Sequence, residues 1–445
     1  MYRSVIDLRK DSAMTQTSYL LDAFSAQSAK LLMRLFLILL IGGVVFDFGS
    51  TWLHFHEISF WRVSLIFRAI IGFIISFLVL IYFHRWPNYV QWLVGSCVVS
   101  MLVLWAGYAI TPIADWKDYL ESTIELYKMI YPALLFVGLR LIFWRHPFLA
   151  GKLFTALDIA LVAYLLFIFI GFFSGSDMFR TYWRGVRPGY RGIIMSQNEA
   201  TGTMLVAIFW FGMRYFSGQR HVLFFIVSVV ATLILGTKGA LLAIVPLLFG
   251  MFWARYGAIK MVPILGWMLV GMAVLSVTAY QFSEAIRGDV ALFWNYMSSH
   301  LYGDSFRAMV TLLMSGRDLR VEAFLPTLSN DLSAINLIGG MPIAYGSMEI
   351  DPIDAFLRGG LLFLVLLLIS YWKIFFYSGG RNGKSYKLIL FVLWMGIAFT
   401  GGHLWMASTT APMLILSLAY ASTMSAYTKY PVHRQAADAR YVLNI

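Results

Sequence analysis

Uninterrupted apolar runs near twenty residues long recur from about residue 31 to about residue 424 of this chain. They constrain the fold more than any other feature. A run of about 20 apolar residues, wound as a helix, spans about 30 Å of hydrocarbon. The runs are continuous rather than alternating, which argues against a membrane β-barrel. Composition agrees, because 13% of the residues are charged where a soluble domain carries about 25%. The sequence therefore predicts an all-α, polytopic integral membrane protein of about twelve transmembrane helices.

The expected spans are roughly 31–48, 63–83, 90–111, 129–144, 153–174, 193–213, 221–236, 239–254, 261–280, 356–372, 388–402 and 404–424. About thirty mostly polar residues precede the first run, which is expected to serve as its own uncleaved insertion signal. The parts are then a cytoplasmic segment 1–30, a transmembrane domain 31–424 and a cytoplasmic tail 425–445. One long loop, 281–355, is expected to be folded, mainly helical and extracytoplasmic. "DWKDYLESTIELYKM" (115–129) reads as a shorter amphipathic helix leading into the fourth span.

Net charge is +12. In a membrane protein this excess reflects the positive-inside rule rather than nucleic-acid binding. With both termini cytoplasmic, the inner segments hold 18 of the 34 Lys and Arg residues and the outer segments hold 12. Eight of those twelve fall in "RTYWRGVRPGYRG" (180–192) and in the long loop. Cys97 is the single cysteine, so no internal disulfide forms, and it reads as a packing residue. His54, His56 and Glu57 form a short interfacial "HFHE" and read more readily as a loop than as a metal site. The chain carries no phosphate-binding GxxxxGK[ST], no GxSxG and no DxD pair.

Five polar constellations stand out on the outer side. Arg187 and Arg191 lie in the basic loop, where guanidinium groups suit phosphate oxygens or anionic headgroups. Gln197, Asn198 and Glu199 break the outer end of the sixth expected span, either facing a cavity or bonding a neighbouring helix. Lys238 sits in the tight turn "GTKG", as a headgroup contact or a second cation above the same cavity. Arg317 follows Ser315-Gly316 at an expected helix start, while Arg320 and Glu322 read as a solvated stretch. Glu349, Asp351 and Asp354 crowd the mouth of the tenth expected span in "SMEIDPIDAFLRGG". Asp351-Pro352 reads as an N-cap and first helical residue, and Asp354 as a capping-box acid able to pair with Arg358. Glu349 has no such local task. Asp158, inside the fifth span, is either a proton-relay acid or an interhelical hydrogen-bond acceptor.

The order of these elements resembles the O-antigen ligase and polymerase superfamily of membrane glycosyltransferases. The likeness covers about residues 187–372 and rests on the basic loop, "GTKGALL", "SGRD" at 315–318 and "MEIDPIDAFLRGGLLF" before a span. Ligases of that superfamily tend to carry His-Asn where this chain has Glu349-Ile350-Asp351, a pattern more like the polysaccharide polymerases. The resemblance implies an inverting, metal-independent glycosyl transfer without cofactor, outside a bacterial inner membrane. Its donor is a glycan on undecaprenyl pyrophosphate and its acceptor a sugar hydroxyl on another lipid-linked unit. A chain-length regulator and a flippase are the implied partners. Arg187, Arg191, Lys238 and Arg317 would bind pyrophosphate, while Gln197, Asn198 and Glu199 would line the donor and acceptor cavity. The base is expected at Glu349 first, then Asp351, with Asp354 third. Glycan transfer to a lipid or protein acceptor, and transport without chemistry, remain the alternatives.

Overall fold

The computed structural model describes residues 26–427, except 61, 111–113, 183–188, 220, 332–337, 340, 343–346, 378–380 and much of 258–313. Twelve named α-helices carry the described chain: α1 (Ala26–Phe55), α2 (Val63–Leu80), α3 (Asn88–Ile110), α4 (Trp116–Arg145), α5 (Ala150–Ser174), α6 (Gln197–Phe216), α7 (Val222–Ile234), α8 (Lys238–Tyr256), α9 (Arg317–Asp331), α10 (Asp351–Phe375), α11 (Arg381–Thr400) and α12 (Thr410–Tyr427). The described residues contain no strand, only an isolated bridge between Arg180 and Tyr190. Eight helices are long and apolar enough to cross a membrane, and the apolar segments Val222–Ile234 and Thr410–Ser422 are shorter. The chain is an all-helical membrane protein.

Helix α6 lies at the centre. Every residue from Ala200 to Met213 is buried, as expected of a helix enclosed on all sides. It packs on α7, α8 and α12, while α1 packs on α2 and α5, and α10 on α3 and α4. Outward-facing residues of the peripheral helices stay apolar, as at Phe73, Trp92 and Phe173, which suits contact with lipid.

Three elements differ from the sequence reading. The amphipathic segment 115–129 and the fourth span form one helix, α4, continuous through Pro132. The helix at the sixth expected span starts at Gln197 rather than 193, with Ser196 as its N-cap. Gln197, Asn198 and Glu199 therefore form a helix's first turn instead of interrupting an apolar one. Helix α10 is broken at Gly360, whose φ of 77° and ψ of 177° belong to a region essentially reserved for glycine. The carbonyl of Gly359 at this break accepts the Ser100 hydroxyl from α3 at 2.6 Å. A polar side chain from a neighbouring helix thus satisfies the carbonyl at the break.

The break makes Asp351–Gly359 a short helix belonging to a layer at one end of the long helices. Its Leu357 joins Met341, Met348 and Ile350 in a small core of their own, covered by Val321 and Phe324 of α9. Within the described part of the long loop, α9 is helical and the described residues among 338–350 are not.

Candidate functional site

The loop joining α11 to α12, residues 401–409, is the meeting point of that end layer. The side-chain amide of Asn198 donates to the Gly401 carbonyl at 2.7 Å. Glu199 accepts the Thr409 hydroxyl at 3.1 Å. The Glu199 carbonyl accepts the Thr410 hydroxyl at the start of α12. Thr201 shares a 2.7 Å bond with Thr237, the N-cap of α8 whose hydroxyl accepts the Ala240 N–H. Lys238 is the first residue of that helix, and Gly239 beside it approaches Thr201 and Ile397 closely. At α9, Arg317 donates to the carbonyl of Thr400, the last residue of α11, at 3.3 Å. Four helix N-termini, those of α6, α8, α9 and α12, are joined by these bonds, and Asp351 at the start of α10 adds a fifth. Each N-terminus presents unsatisfied N–H groups and a partial positive charge, so their meeting point favours anions.

Asp351 is fully buried and accepts the N–H groups of Leu404 and Trp405 at 2.7 and 2.9 Å, and that of His403 as well. Gly402 and His403 both have φ of 61°. Successive left-handed residues turn consecutive N–H groups toward one point, a nest suited to an anion. Asp351 is thus the anion of its own protein's nest. It does not cap its own helix: the N-cap is Ile350, without a side-chain bond. Asp354 is also fully buried and reaches back to the Met348 N–H at 2.8 Å and the Ser347 hydroxyl at 3.0 Å. Arg358 donates to Glu125 on α4 at 3.1 Å and to the carbonyls of Met341 and Pro342. Two of the three crowded acids therefore hold this end layer together.

Glu349 is different. Its side chain is 32% exposed and lies between two guanidinium groups, Arg317 at 3.0 Å and Arg320 at 2.8 Å. Burial works to raise its carboxyl. The bond from Arg320 and the charges of Arg317, Arg320 and His403 outweigh it and hold the group below its ordinary value. Its backbone is left-handed, with φ of 54°, and its carbonyl lies so close to Gly402 that a Cβ there would sit 1.9 Å away. Arg320 is exposed, as the sequence reading has it, but that reading gives it no acid to pair with. Spacing within α9 offers Arg320 no acid, and its partner arrives from 29 residues further along the chain. Glu322 does remain at the surface, paired with Arg307.

Arg191 sits in a strap that covers the end of α7. Tyr190 N–H and the Thr181 hydroxyl donate to the Ile234 and Leu235 carbonyls, at 3.0 and 2.9 Å. Gln197 holds the same strap by donating to the Thr181 carbonyl at 2.8 Å. The Arg191 guanidinium donates to the Met195 carbonyl, and burial pushes it down to about 10, so it stays cationic at neutral pH. Its buried Nε, like that of Arg317, has no hydrogen-bond partner among the described residues. Arg187 lies outside the described residues.

A second charged cluster escaped the sequence reading. Asp47 of α1 accepts from Arg68 of α2 at 2.5 and 2.8 Å, from Tyr164 of α5 at 2.7 Å, and from Ser64. Thr51, one turn further along α1, donates to the Ile193 carbonyl at 2.7 Å, just before α6. Lone charges in consecutive apolar runs were the available signal, since an intramembrane arginine requires an acid. Asp158 accepts from Trp210 at 2.7 Å and from Arg214, which is the interhelical alternative. No group of three or more acids, His or Cys suited to a metal occurs among the described residues. Neither a protein-family model nor a curated protein matches this chain.

Proposed function

We propose that the protein is a polymerase of lipid-linked oligosaccharides, using a polyprenyl pyrophosphate donor in a bacterial inner membrane. The reading includes about twelve spans, cytoplasmic termini and an extracytoplasmic site. The observation that carries it is the placement of Glu349 between Arg317 and Arg320, just before the start of α10. A departing pyrophosphate needs fixed positive charge, and preorganised donors supply it without a nucleotide-binding fold. Helix α1 ends near this layer and α12 begins there. That arrangement supports the expected even number of spans.

In the proposed reaction an acceptor hydroxyl oxygen bonds to the anomeric carbon from the face opposite the pyrophosphate. The anomeric C–O bond breaks, and its electron pair leaves on the pyrophosphate oxygen. Arg191, Lys238 and Arg317 are the cations offered to that charge, with Arg320 added. The hydroxyl proton passes to Glu349, the most exposed of the three crowded acids. A carboxylate held below its usual range accepts the proton late, once the new bond has largely formed.

Purified protein supplied with native lipid-linked repeat units, and neither ATP nor nucleotide sugar, should yield a ladder of glycans. Transfer to a different acceptor would identify a ligase. No covalent product, with movement of the lipid across vesicles, would overturn the enzyme reading.

A further inference from the structure

We infer that Glu349 is the resident occupant of an anion seat on Arg317 and Arg320, and that an entering phosphate group displaces it. The inference rests on the reading of this site as a pyrophosphate site and adds how that site is kept before the donor arrives.

Each oxygen of the Glu349 carboxylate takes one guanidinium: Oε2 faces Arg317 Nη2 at 3.0 Å and Oε1 faces Arg320 Nη1 at 2.8 Å. Two oxygens of a phosphate group would take the same two donors. The carboxylate leaves the seat incompletely filled, because the buried Nε of Arg317 has no partner among the described residues. A phosphate group has further oxygens to offer it, beyond the two that would take the Arg317 and Arg320 Nη donors.

The occupant is also held in a way that allows release. Glu349 adopts a left-handed backbone at φ 54°, a conformation uncommon for residues with a side chain. Its side chain is 32% exposed and that of Arg320 is 51% exposed. Two residues on, Asp351 is fully buried on three backbone donors. The segment is thus anchored at Asp351 while the Glu349 side chain can swing.

Displacement has a chemical consequence. While paired, Glu349 is a poor base, because Arg320 and Arg317 stabilise its charged form. A phosphate in the seat removes the Arg320 bond and adds negative charge nearby, and both changes strengthen the hold of Glu349 on a proton. Donor binding would then ready the base that the acceptor hydroxyl needs, and only in the presence of donor.

The test is titration of the full-length protein in detergent with inorganic pyrophosphate at fixed ionic strength. Glu349→Gln should bind pyrophosphate about tenfold more tightly than wild type, since a seat occupied about nine-tenths of the time weakens apparent affinity by that factor. Glu349→Ala should change in the same direction, and decides the matter if the Gln variant does not fold. Adding Arg317→Ala to Glu349→Gln should abolish the gain. If Glu349 only bolts its loop to α9, its removal disorders the arginines and binding weakens or stays unchanged, which overturns the inference. Should that occur while wild type still extends lipid-linked glycans, displacement fails and the polymerase reading stands. Tighter binding by the variants with no extension by wild type gives the converse.

Discussion

Asp47 and Glu349 are both carboxylates gripped by guanidinium, yet their surroundings separate them. Asp47 and Arg68 are 4% and 6% exposed. The grip on Asp47 is closed by Tyr164 and Ser64, from two further positions on α5 and α2. Glu349 is 32% exposed and Arg320 51% exposed. No helix contains Glu349, and its backbone is left-handed. The same ion-pair chemistry builds structure when every lone pair is used and water is excluded. It offers an exchangeable seat when one face is left to solvent.

The comparison breaks first at the closed pair. Arg68→Ala leaves Asp47 buried without its cation, which costs about 3–5 kcal/mol. The expected outcome is loss of folded protein in fluorescence-detected size-exclusion chromatography. Replacing both partners by uncharged residues of similar size should recover much of that loss. Asp351→Ala comes next. Three N–H groups lose their acceptor, for about 2–4 kcal/mol, and the loop 401–409 should lose protection against hydrogen exchange before α6 does. Normal stability of Arg68→Ala would mean that the closed cluster does not build structure, and normal stability of Asp351→Ala that this acid does not hold the layer.

These two sites also mark how far the sequence could be read. The apolar runs fix the helices because each must satisfy its own backbone in lipid. "GTKG" was legible as a turn between two helices, since Gly236, at φ 69°, takes a backbone that favours glycine. Pairings between separate elements were not. Asp351 follows the local rule for an N-cap, and the competing acceptor task lies 52 to 54 residues away on another loop. Arg320 reads as solvated because no acid stands at helical spacing within α9. Asp47 and Arg68 lie 21 residues apart on two helices; only the cost of an unpaired charge at that depth pointed from one to the other.

Smaller effects sharpen the open side. Arg317→Ala should lower glycan transfer by about 10²-fold while its elution profile stays that of wild type. Arg191→Ala should act in the same direction, and it also removes the donor that the Met195 carbonyl accepts. If both variants keep near-normal transfer, the charge stabilisation assigned to them is wrong and the site is structural after all.

The smallest expected effect separates the two pairs most cleanly. The folded-state pKa of Glu349 lies below its ordinary value of 4.5, so the unfolded chain binds the proton more readily than the folded one. Its contribution to stability is therefore present above about 4.5 and is lost as pH falls through the lower, folded-state value. Because both partners reach solvent, that contribution is no more than about 1 kcal/mol. The Tm of wild type should exceed that of Glu349→Gln slightly at pH 7, and the difference should vanish on acidification below the carboxylate range. Salt at about 1 M, where screening acts within about 3 Å, should shrink the same difference at neutral pH. The Tm loss from Arg68→Ala should not respond to salt, because counterions do not reach a pair that water does not reach. Equal salt sensitivity at the two sites would erase the distinction between a closed pair and an exchangeable one, and would remove the physical basis for displacement at Glu349.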